Sequence, residues 1–305
     1  MPLGRTLFIV NPAARHGEAR KLIPAIERIS SAVSGSEIQL SAGPRHAFDL
    51  ARTAESFDSI VAVGGDGTAH EVLNGVMAQD EGARPAFGIV PTGSGNDYAH
   101  TLGMSDDLAH ALQQVATGGR RIVDLGLCNS IWFGESVSMG LDARVTVKAV
   151  ELKVTTGLTG LALYMRALIH VLNHQYYSHK VVVQYDDEEP FKTDMLIVAA
   201  TNGPTYGGGF KITPDSVPDD GLLDICRIDA MPKSQAFMRL PFVVLGKHTW
   251  MRPVHMGRAK RLTVVSETPF EGQIDGEVIL ESSYDIRIVP AAMTVIVPAE
   301  TGTGR

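Results

Sequence analysis

The stretch SIVAVGGDGTAHE, at residues 59–71, decides the fold. Its first five residues form a short, mostly apolar and β-branched run of the length of a buried parallel strand. The run ends at glycines around Asp66, and Thr68 can cap the helix that follows. Because glycines let backbone N–H groups approach an anion and a helix N-terminus attracts it, the stretch predicts a phosphate-binding turn. An ordinary strand-to-helix turn is the competing interpretation.

The negative charge of Asp66 limits what this residue can contact in a phosphate-binding turn. A carboxylate repels phosphate unless a cation lies between them. Asp66 is therefore better suited to hold Mg²⁺ or a ribose hydroxyl than to contact phosphate directly.

A second turn of the same kind follows. PTGSGNDYA, at residues 91–99, comes after the apolar run at residues 86–90 and precedes helix-like sequence. Ser94, Asn96 and Asp97 are all helix-capping residues, so a well-capped helix start would also account for them. Two polar turns after successive parallel strands lie on one edge of a sheet, where such sheets bind ligands.

Composition limits the class of protein. The chain has 305 residues, enough for two domains, and a net charge of −7, which argues against nucleic acid as a partner. Cys128 and Cys226 lie in apolar surroundings and are expected to be reduced thiols. The N-terminal residues lack a signal-peptide core and no apolar run reaches ~18 residues, so we expect a cytoplasmic protein.

The predicted elements change character along the chain. Strands and helices alternate to about residue 120, including a helix over residues 18–33, which predicts a parallel sheet. Strands with few helices then predict an antiparallel sheet or sandwich. We therefore expect domains at residues 1–125 and 126–290, with the tail near residues 291–305 packing on the first domain.

Two helical stretches interrupt the second domain. Residues 145–177 carry an apolar stripe from Leu158 to Leu172, which favours core packing over a lipid-facing role. Residues 234–245 lead into KHTWMR at residues 247–252, where cations accompany a Trp and a Met. That mixture suits a membrane interface, and a solvated loop is an equally good interpretation.

Five segments together resemble the diacylglycerol kinase catalytic-domain family, which includes bacterial lipid kinases and the sphingosine and ceramide kinases. They are the two turns; FIVNP at residues 8–12; one second-domain signature made of NG, GGG and PDDGLLD at residues 202–203, 207–209 and 218–224; and DGE at residues 275–277. The resemblance covers residues 5–298. It implies a Rossmann-like nucleotide domain, related to NAD kinase, and a C-terminal β-sandwich that takes the lipid.

The resemblance also implies ATP and Mg²⁺ as cofactors. The residues expected to bind the nucleotide are Asn11, Ser41, Gly64, Gly65, Asp66, Gly67, Thr68, Ala69, His70, Glu71, Thr92, Gly93, Ser94, Asn96 and Asp97. Asp66 would organise the catalytic Mg²⁺. His70 stands where the family usually has Asn, so we expect it to be a surface residue. Arg15 and Arg20 are further candidate phosphate neighbours.

Two features of the second domain carry the remaining chemistry. The turn before Glu277 can project this carboxylate into an interdomain cleft, so we expect Glu277 to be the general base. The acidic loop at residues 214–222 resembles a structural Mg²⁺ site of bacterial members, formed by Asp220 and the carbonyls of Val217 and Leu222. A metal-free acidic turn is the alternative.

The sequence therefore predicts a lipid kinase acting on a hydroxyl. NAD kinase, which shares the first turn, and a non-catalytic lipid- or nucleotide-binding regulator remain alternatives. The motifs leave open whether the acceptor is diacylglycerol, a sphingoid base or phosphatidylglycerol. The expected partner is a lipid substrate met transiently at the membrane surface, with no nucleic acid, and a homodimer is left open.

Overall fold

The computed structural model describes residues 3–31 and 35–299, without the side chains of Arg15, His16 and Glu18. The side chain of Arg15, the expected phosphate neighbour, and the last residues of the helix predicted over residues 18–33 therefore lie outside what the structure describes. The chain separates into two compact units. The N-terminal unit contains Met1–Val123 and Ala291–Arg305, and the C-terminal unit contains Asp124–Pro290.

The N-terminal unit is built on parallel strands. They are β1 (Thr6–Val10), β2 (Glu37–Leu40), β3 (Ser59–Gly64) and β4 (Ala86–Pro91). The pairs β2–β1, β1–β3 and β3–β4 are all parallel. Every residue of β1, β3 and β4 is buried, which explains their continuous apolar sequences.

Helices connect these strands. They are α1 (Ile23–Ser31), α2 (His46–Arg52), α3 (Asp66–Met77), α4 (Asp97–Thr101) and α5 (Leu108–Thr117). The helix predicted over residues 18–33 is instead a 3₁₀ segment, Ala14–Leu22, followed by α1. Pro24 has no N–H to donate to the carbonyl four residues earlier, so the α-helix starts afresh near this residue.

The C-terminal unit is rich in antiparallel strands, as predicted. Its strands are β5 (Gly119–Cys128), β6 (Ile131–Phe133), β7 (Ser136–Gly140), β8 (His179–Tyr185), β9 (Phe191–Thr201), β10 (Leu223–Asp229), β11 (Val254–Ala259), β12 (Arg261–Ile274) and β13 (Glu277–Val297). The strands β5 and β13 cross the unit boundaries: β5 begins and β13 ends in the N-terminal unit. The described pairs β7–β9, β9–β10 and β12–β13 are antiparallel. Val137, Val198 and Leu262 belong to their shared core.

Three regions differ from the strands that the sequence predicts. The strand expected over residues 130–139 is two strands, β6 and β7. β11 was not predicted, because it is an outer strand on β10 that exposes His255 and Met256 and therefore lacks an apolar run. Where the sequence pattern predicts two strands, at residues 284–289 and 293–297, the structure has one, β13, which enters the N-terminal unit at Ala291 with φ = 51°.

Helices α6 (Leu141–Thr156), α7 (Gly160–His174) and α8 (Lys233–Val244) belong to the C-terminal unit. The stretch predicted over residues 145–177 is two helices, because Gly157 ends α6 in the left-handed conformation. Of the predicted stripe, Leu168 and Leu172 are buried, whereas Leu161 and Ile169 are 44% and 45% exposed. Within the described residues, no single helix is long and apolar enough to cross a membrane. The pair α6 and α7 passes that test only together, with a bend of 117°.

Candidate active site

The two glycine turns lie side by side at the carboxyl ends of neighbouring strands. Gly64 is in register with Pro91, and the Thr92 N–H donates to the Gly64 carbonyl at 2.7 Å. A Cβ at Gly65 would lie 2.9 Å from the Cα of Gly93, so only glycines allow this approach. The parallel sheet thereby places both turns at one edge.

Asp66 joins the two turns. Its carboxylate accepts the backbone N–H of Asn96 at 2.9 Å and that of Asp97 at 3.1 Å, where α4 begins. Asn96 adopts φ = 59° and its side-chain oxygen accepts the Gly93 N–H at 2.8 Å. Asp66, which is expected to bind Mg²⁺, therefore also holds the backbone of the second turn in place.

Other predicted residues support the first turn. Asn11 follows β1 and donates its amide N–H to Thr68 Oγ1 at 3.0 Å. The Glu71 carboxylate accepts the backbone N–H of Arg45 at 2.8 Å and that of Ala47 at 3.1 Å. Glu71 therefore holds the start of α2, a contact that the prediction of nucleotide binding did not include.

The remaining predicted nucleotide residues lie around the same edge. Ser41 follows β2 and donates its backbone N–H to the Val10 carbonyl at 2.9 Å, while Ser94 is half-buried in the second turn. His70 is half-buried near the start of α3, and its ring lies 3.4 Å from the Asn74 amide. Arg20 is exposed after β1.

The oxygen-rich edge fits Mg²⁺. A Cβ placed at Gly95 would lie 2.8 Å from Asp66 Oδ2 and 3.2 Å from Asp97 Oδ2, so two carboxylates flank one glycine. Mg²⁺ prefers such oxygen ligands. Asp66 and Asp97 could hold the ion beside an anion attracted to the N-terminus of α3.

In the acidic loop of the C-terminal unit, at residues 214–222, the positively charged partner of the carboxylates is an arginine side chain. Arg258 on β11 pairs with Asp220 and also lies 3.1 Å from Asp224. The other oxygen of Asp220 accepts the Leu222 N–H at 3.1 Å, and Val217 is exposed. Because the Arg258 guanidinium already balances the charge of Asp220 and Asp224, the side chains of the loop do not fit the structural Mg²⁺ suggested by the resemblance.

We predict that divalent cations do not stabilise the wild-type loop. EDTA and 5 mM Mg²⁺ should give the same Tm without ATP, whereas Arg258→Met should lower Tm by about 2–4 °C, because two carboxylates lose a partner. Mg²⁺ should partly restore that variant. Arg261→Met, which removes the exposed pair with Asp285, is the control that Mg²⁺ should not rescue. A fall in wild-type Tm with EDTA would contradict the prediction.

Glu277 lies directly after a tightly held turn. The Asp275 carboxylate accepts backbone N–H groups of Gly134, Glu135 and Ser136 at 2.8–3.0 Å. Asp275 and Gly276 have φ of 47° and 91°, and the Glu277 side chain is exposed at the start of β13. The turn therefore fixes the backbone that presents this carboxylate to solvent.

An apolar pocket lies within the C-terminal unit. Its empty volume is about 830 Å³ including space open to solvent. Its walls come from α6, α7, β9 and α8, with side chains such as Val145, Leu168, Leu196 and Leu240. Such a lining suits a hydrocarbon chain.

Asp142 is the carboxyl group in the pocket lining. Burial raises its pKa from 3.8 to about 6, although hydrogen bonds from Ser138, Tyr206 and Gln273 oppose the rise. Gln273 Nε2 donates to Ser138 Oγ at 2.9 Å, and Gln273 Oε1 accepts the Gly276 N–H at 2.6 Å. Asp142 therefore shares a network with the turn before Glu277.

The raised pKa of Asp142 predicts a pH-dependent stability. Its folded pKa exceeds the ordinary value, so protonation stabilises the fold; this gain is complete below about pH 4 and is lost as pH rises through about 6. Between pH 7.5 and pH 5 the wild type should gain about 1 kcal/mol that Asp142→Asn lacks. Urea unfolding of both proteins, with exposed Asp187→Asn as control, measures this gain. Equal pH dependence of wild type and Asp142→Asn would contradict it.

The sequence did not indicate Asp142, Ser138 or Gln273 as functional residues. Ser138 and Gln273 are buried polar residues in β7 and β12, at 0% and 2% exposure. The sequence signal was weak, because both strands contain other polar residues, such as Ser136 in β7 and Glu271 in β12. Such residues need partners when buried, and here the partners lie on other strands.

Comparison with known proteins identifies the family. Residues 5–128 match the family model described as "Diacylglycerol kinase catalytic domain". Residues 135–297 match the model described as "YegS C-terminal NAD kinase beta sandwich-like domain". The chain therefore belongs to the diacylglycerol kinase catalytic-domain family, which confirms the resemblance found in its motifs.

Individual proteins agree with this assignment. The diacylglycerol kinase of Mycobacterium tuberculosis H37Rv is 29% identical over 307 residues, covering 97% of this chain and 96% of that protein. The diacylglycerol kinase of Bacillus subtilis strain 168 is 30% identical over 223 residues, covering 72% and 71%.

Solved structures share the fold. A diacylglycerol kinase from Bacillus anthracis strain Sterne has a TM-score of 0.73 at 21% identity, covering 97% of this chain and 98% of that one. An NAD kinase from Archaeoglobus fulgidus in complex with ATP has a TM-score of 0.52 at 13% identity, covering 97% and 94%.

Proposed function

We propose that this protein is an ATP-dependent lipid kinase that transfers the γ-phosphoryl group to a hydroxyl of a lipid such as diacylglycerol. The observation that carries the proposal is the apolar pocket of the C-terminal unit, in a chain whose family includes diacylglycerol kinases. A hydrocarbon chain fits this lining, whereas a nicotinamide dinucleotide would need many more polar partners.

In this proposal the N-terminal unit is a Rossmann-like domain that binds ATP. The adjacent glycine turns and the N-terminus of α3 would hold the phosphates, and Asn11, Ser41 and the predicted residues of both turns would surround the nucleotide. Asp66 and Asp97 would hold Mg²⁺, which neutralises charge on the phosphates during transfer. The ATP-bound NAD kinase, which has the same fold, supports this assignment.

Glu277 would act as general base. The lipid oxygen forms a bond to the γ-phosphorus, the bond from phosphorus to the ADP oxygen breaks, and Glu277 takes the hydroxyl proton. This assignment requires ATP on the N-terminal unit and the lipid hydroxyl on the C-terminal unit to come within bonding distance during turnover.

The membrane surface is the proposed source of the lipid. Helix α8 lines the pocket with Leu240 and exposes Met238 and Phe242, and Leu245 is exposed directly after the helix. Trp250 is 75% exposed and its ring lies 6.5 Å from that of Phe242. Apolar side chains beside Lys247 and Arg252 suit transient contact with anionic lipid.

We place the enzyme in the cytoplasm. ATP is available there, and the reducing conditions suit Cys128 and Cys226, which are buried and free in the structure. Burial raises the pKa of both thiols to about 12, so neither is a reactive thiolate.

Transfer of label from γ-labelled ATP tests the function. Mixed micelles containing diacylglycerol, a sphingoid base or phosphatidylglycerol would be supplied with Mg²⁺, and NAD would be tested separately. Labelling of a lipid supports the kinase. Labelling of NAD alone would assign an NAD kinase activity instead, and ATP binding without any labelled acceptor would favour a regulator.

A further inference from the structure

We propose that Asp142 binds the free hydroxyl of an uncharged lipid when the lipid first enters the apolar pocket, before that hydroxyl transfers its proton to Glu277, and so determines which lipids the enzyme accepts. The inference rests on the proposed function, because it specifies the ligand of the same pocket. Asp142 lies outside all of the motifs that resemble the family.

The position of Asp142 is the first reason. It is the second residue of α6 and lines the pocket together with Val145, one turn further along the helix. Arg239 is the other lining residue with a charged side chain, and its guanidinium donates to the carbonyl and side-chain oxygens of Gln235 within α8. A wholly apolar ligand in this pocket would therefore offer no hydrogen-bond donor to the Asp142 carboxyl.

The hydrogen-bonding capacity of the carboxyl is the second reason. An ionised carboxylate has about four acceptor sites. The Ser138 hydroxyl donates to one of its oxygens, and the neighbouring neutral side chains of Tyr206 and Gln273 also favour its ionised form. The capacity that remains suits a donor such as a hydroxyl. The two ester groups of diacylglycerol are acceptors only, so its free hydroxyl is the group that matches.

The Ser138 hydroxyl fixes the direction of these bonds. Gln273 Nε2 donates to Ser138 Oγ, so the Ser138 proton is directed to Asp142. Gln273 Oε1 accepts the Gly276 N–H, which orients the amide. This arrangement keeps the carboxyl a hydrogen-bond acceptor, and two side chains, Ser138 and Gln273, connect it to the turn before Glu277.

Charge determines which lipids are rejected. Phosphatidylglycerol would bring an anionic phosphate close to a carboxylate in apolar surroundings, where repulsion is strong and ions are poorly solvated. Among the lipids that the motifs left open, the pocket therefore favours diacylglycerol over phosphatidylglycerol.

A binding experiment with matched ligands tests this inference without relying on catalysis. Isothermal titration would compare 1,2-dioctanoylglycerol with its 3-deoxy analogue, which lacks the hydroxyl, and with dioctanoylphosphatidylglycerol. Wild type should bind dioctanoylglycerol roughly 10- to 100-fold more tightly than the deoxy analogue, because the carboxyl loses a partner. It should bind the anionic lipid at least as weakly as the deoxy analogue.

Asp142→Asn identifies the residue responsible. The variant should bind dioctanoylglycerol and the deoxy analogue with nearly equal affinity, whereas Asp187→Asn, an exposed change of the same kind in the same unit, should keep the wild-type ratio. If Asp142 only maintained the structure, its replacement would weaken the binding of both ligands equally and leave the ratio of their affinities unchanged.

The outcomes separate the two proposals. Failure of all three lipids to bind wild type would count against the lipid pocket and thus against the proposed function. Binding of dioctanoylglycerol and the deoxy analogue with equal affinity would overturn the role of Asp142 and leave the lipid pocket intact. This comparison in wild type is decisive even where Asp142→Asn does not fold.

Discussion

Replacement of Glu277 by Gln is expected to lower kcat for the labelled lipid by roughly 10²- to 10⁴-fold, the usual contribution of a general base. The amide keeps the size of the side chain and cannot accept the hydroxyl proton. Because Glu277 is exposed, Tm should stay within about 1 °C of wild type. Steady-state kinetics with saturating ATP, together with thermal unfolding, measure both quantities.

Glu281→Gln is the matched control for this prediction. Glu281 is also exposed and lies on the same strand, four residues further along. It should retain wild-type kcat. A loss of less than tenfold in Glu277→Gln would show that another group accepts the proton. The KM for ATP should be unchanged in both variants, since the general base acts on the lipid hydroxyl.

The turn before Glu277 illustrates what sequence could predict. An Asp-Gly pair predicts a turn from local chemistry, since both residues tolerate positive φ. The same kind of local signal identified the glycine turns at residues 64–68 and 91–96, the strands that precede them, and the family. These features depend on residues close together in the chain.

The contacts of the side chains could not be predicted in this way. Asp66 accepts N–H groups 30 and 31 residues away, and Arg258 reaches Asp220 over 38 residues. Gln273 and Ser138 are 135 residues apart. Because these pairs are set by strand register and not by local pattern, the sequence assigned roles to single residues and missed the partners that modify those roles.

Asp66→Ala is expected to have a large effect on stability as well as on ATP binding. Two backbone N–H groups at the start of α4 would lose their acceptor, at a cost of about 1–3 kcal/mol each when they stay buried. Without ATP or Mg²⁺, Tm should therefore fall by about 5–10 °C. Differential scanning calorimetry of the protein alone measures this fall.

Asp107→Ala separates this role from ordinary helix capping. Asp107 accepts one N–H, from His110 at 2.8 Å, at the start of α5. Its loss should cost about 1 kcal/mol and leave Mg·ATP affinity unchanged. Asp66→Asn should also be destabilised, because its NH₂ group would face one of the two N–H donors. A wild-type Tm in Asp66→Ala, with Mg·ATP binding lost, would show that Asp66 serves only as a metal ligand. A lowered Tm would show that the residue expected to organise Mg²⁺ also maintains the geometry of the second turn.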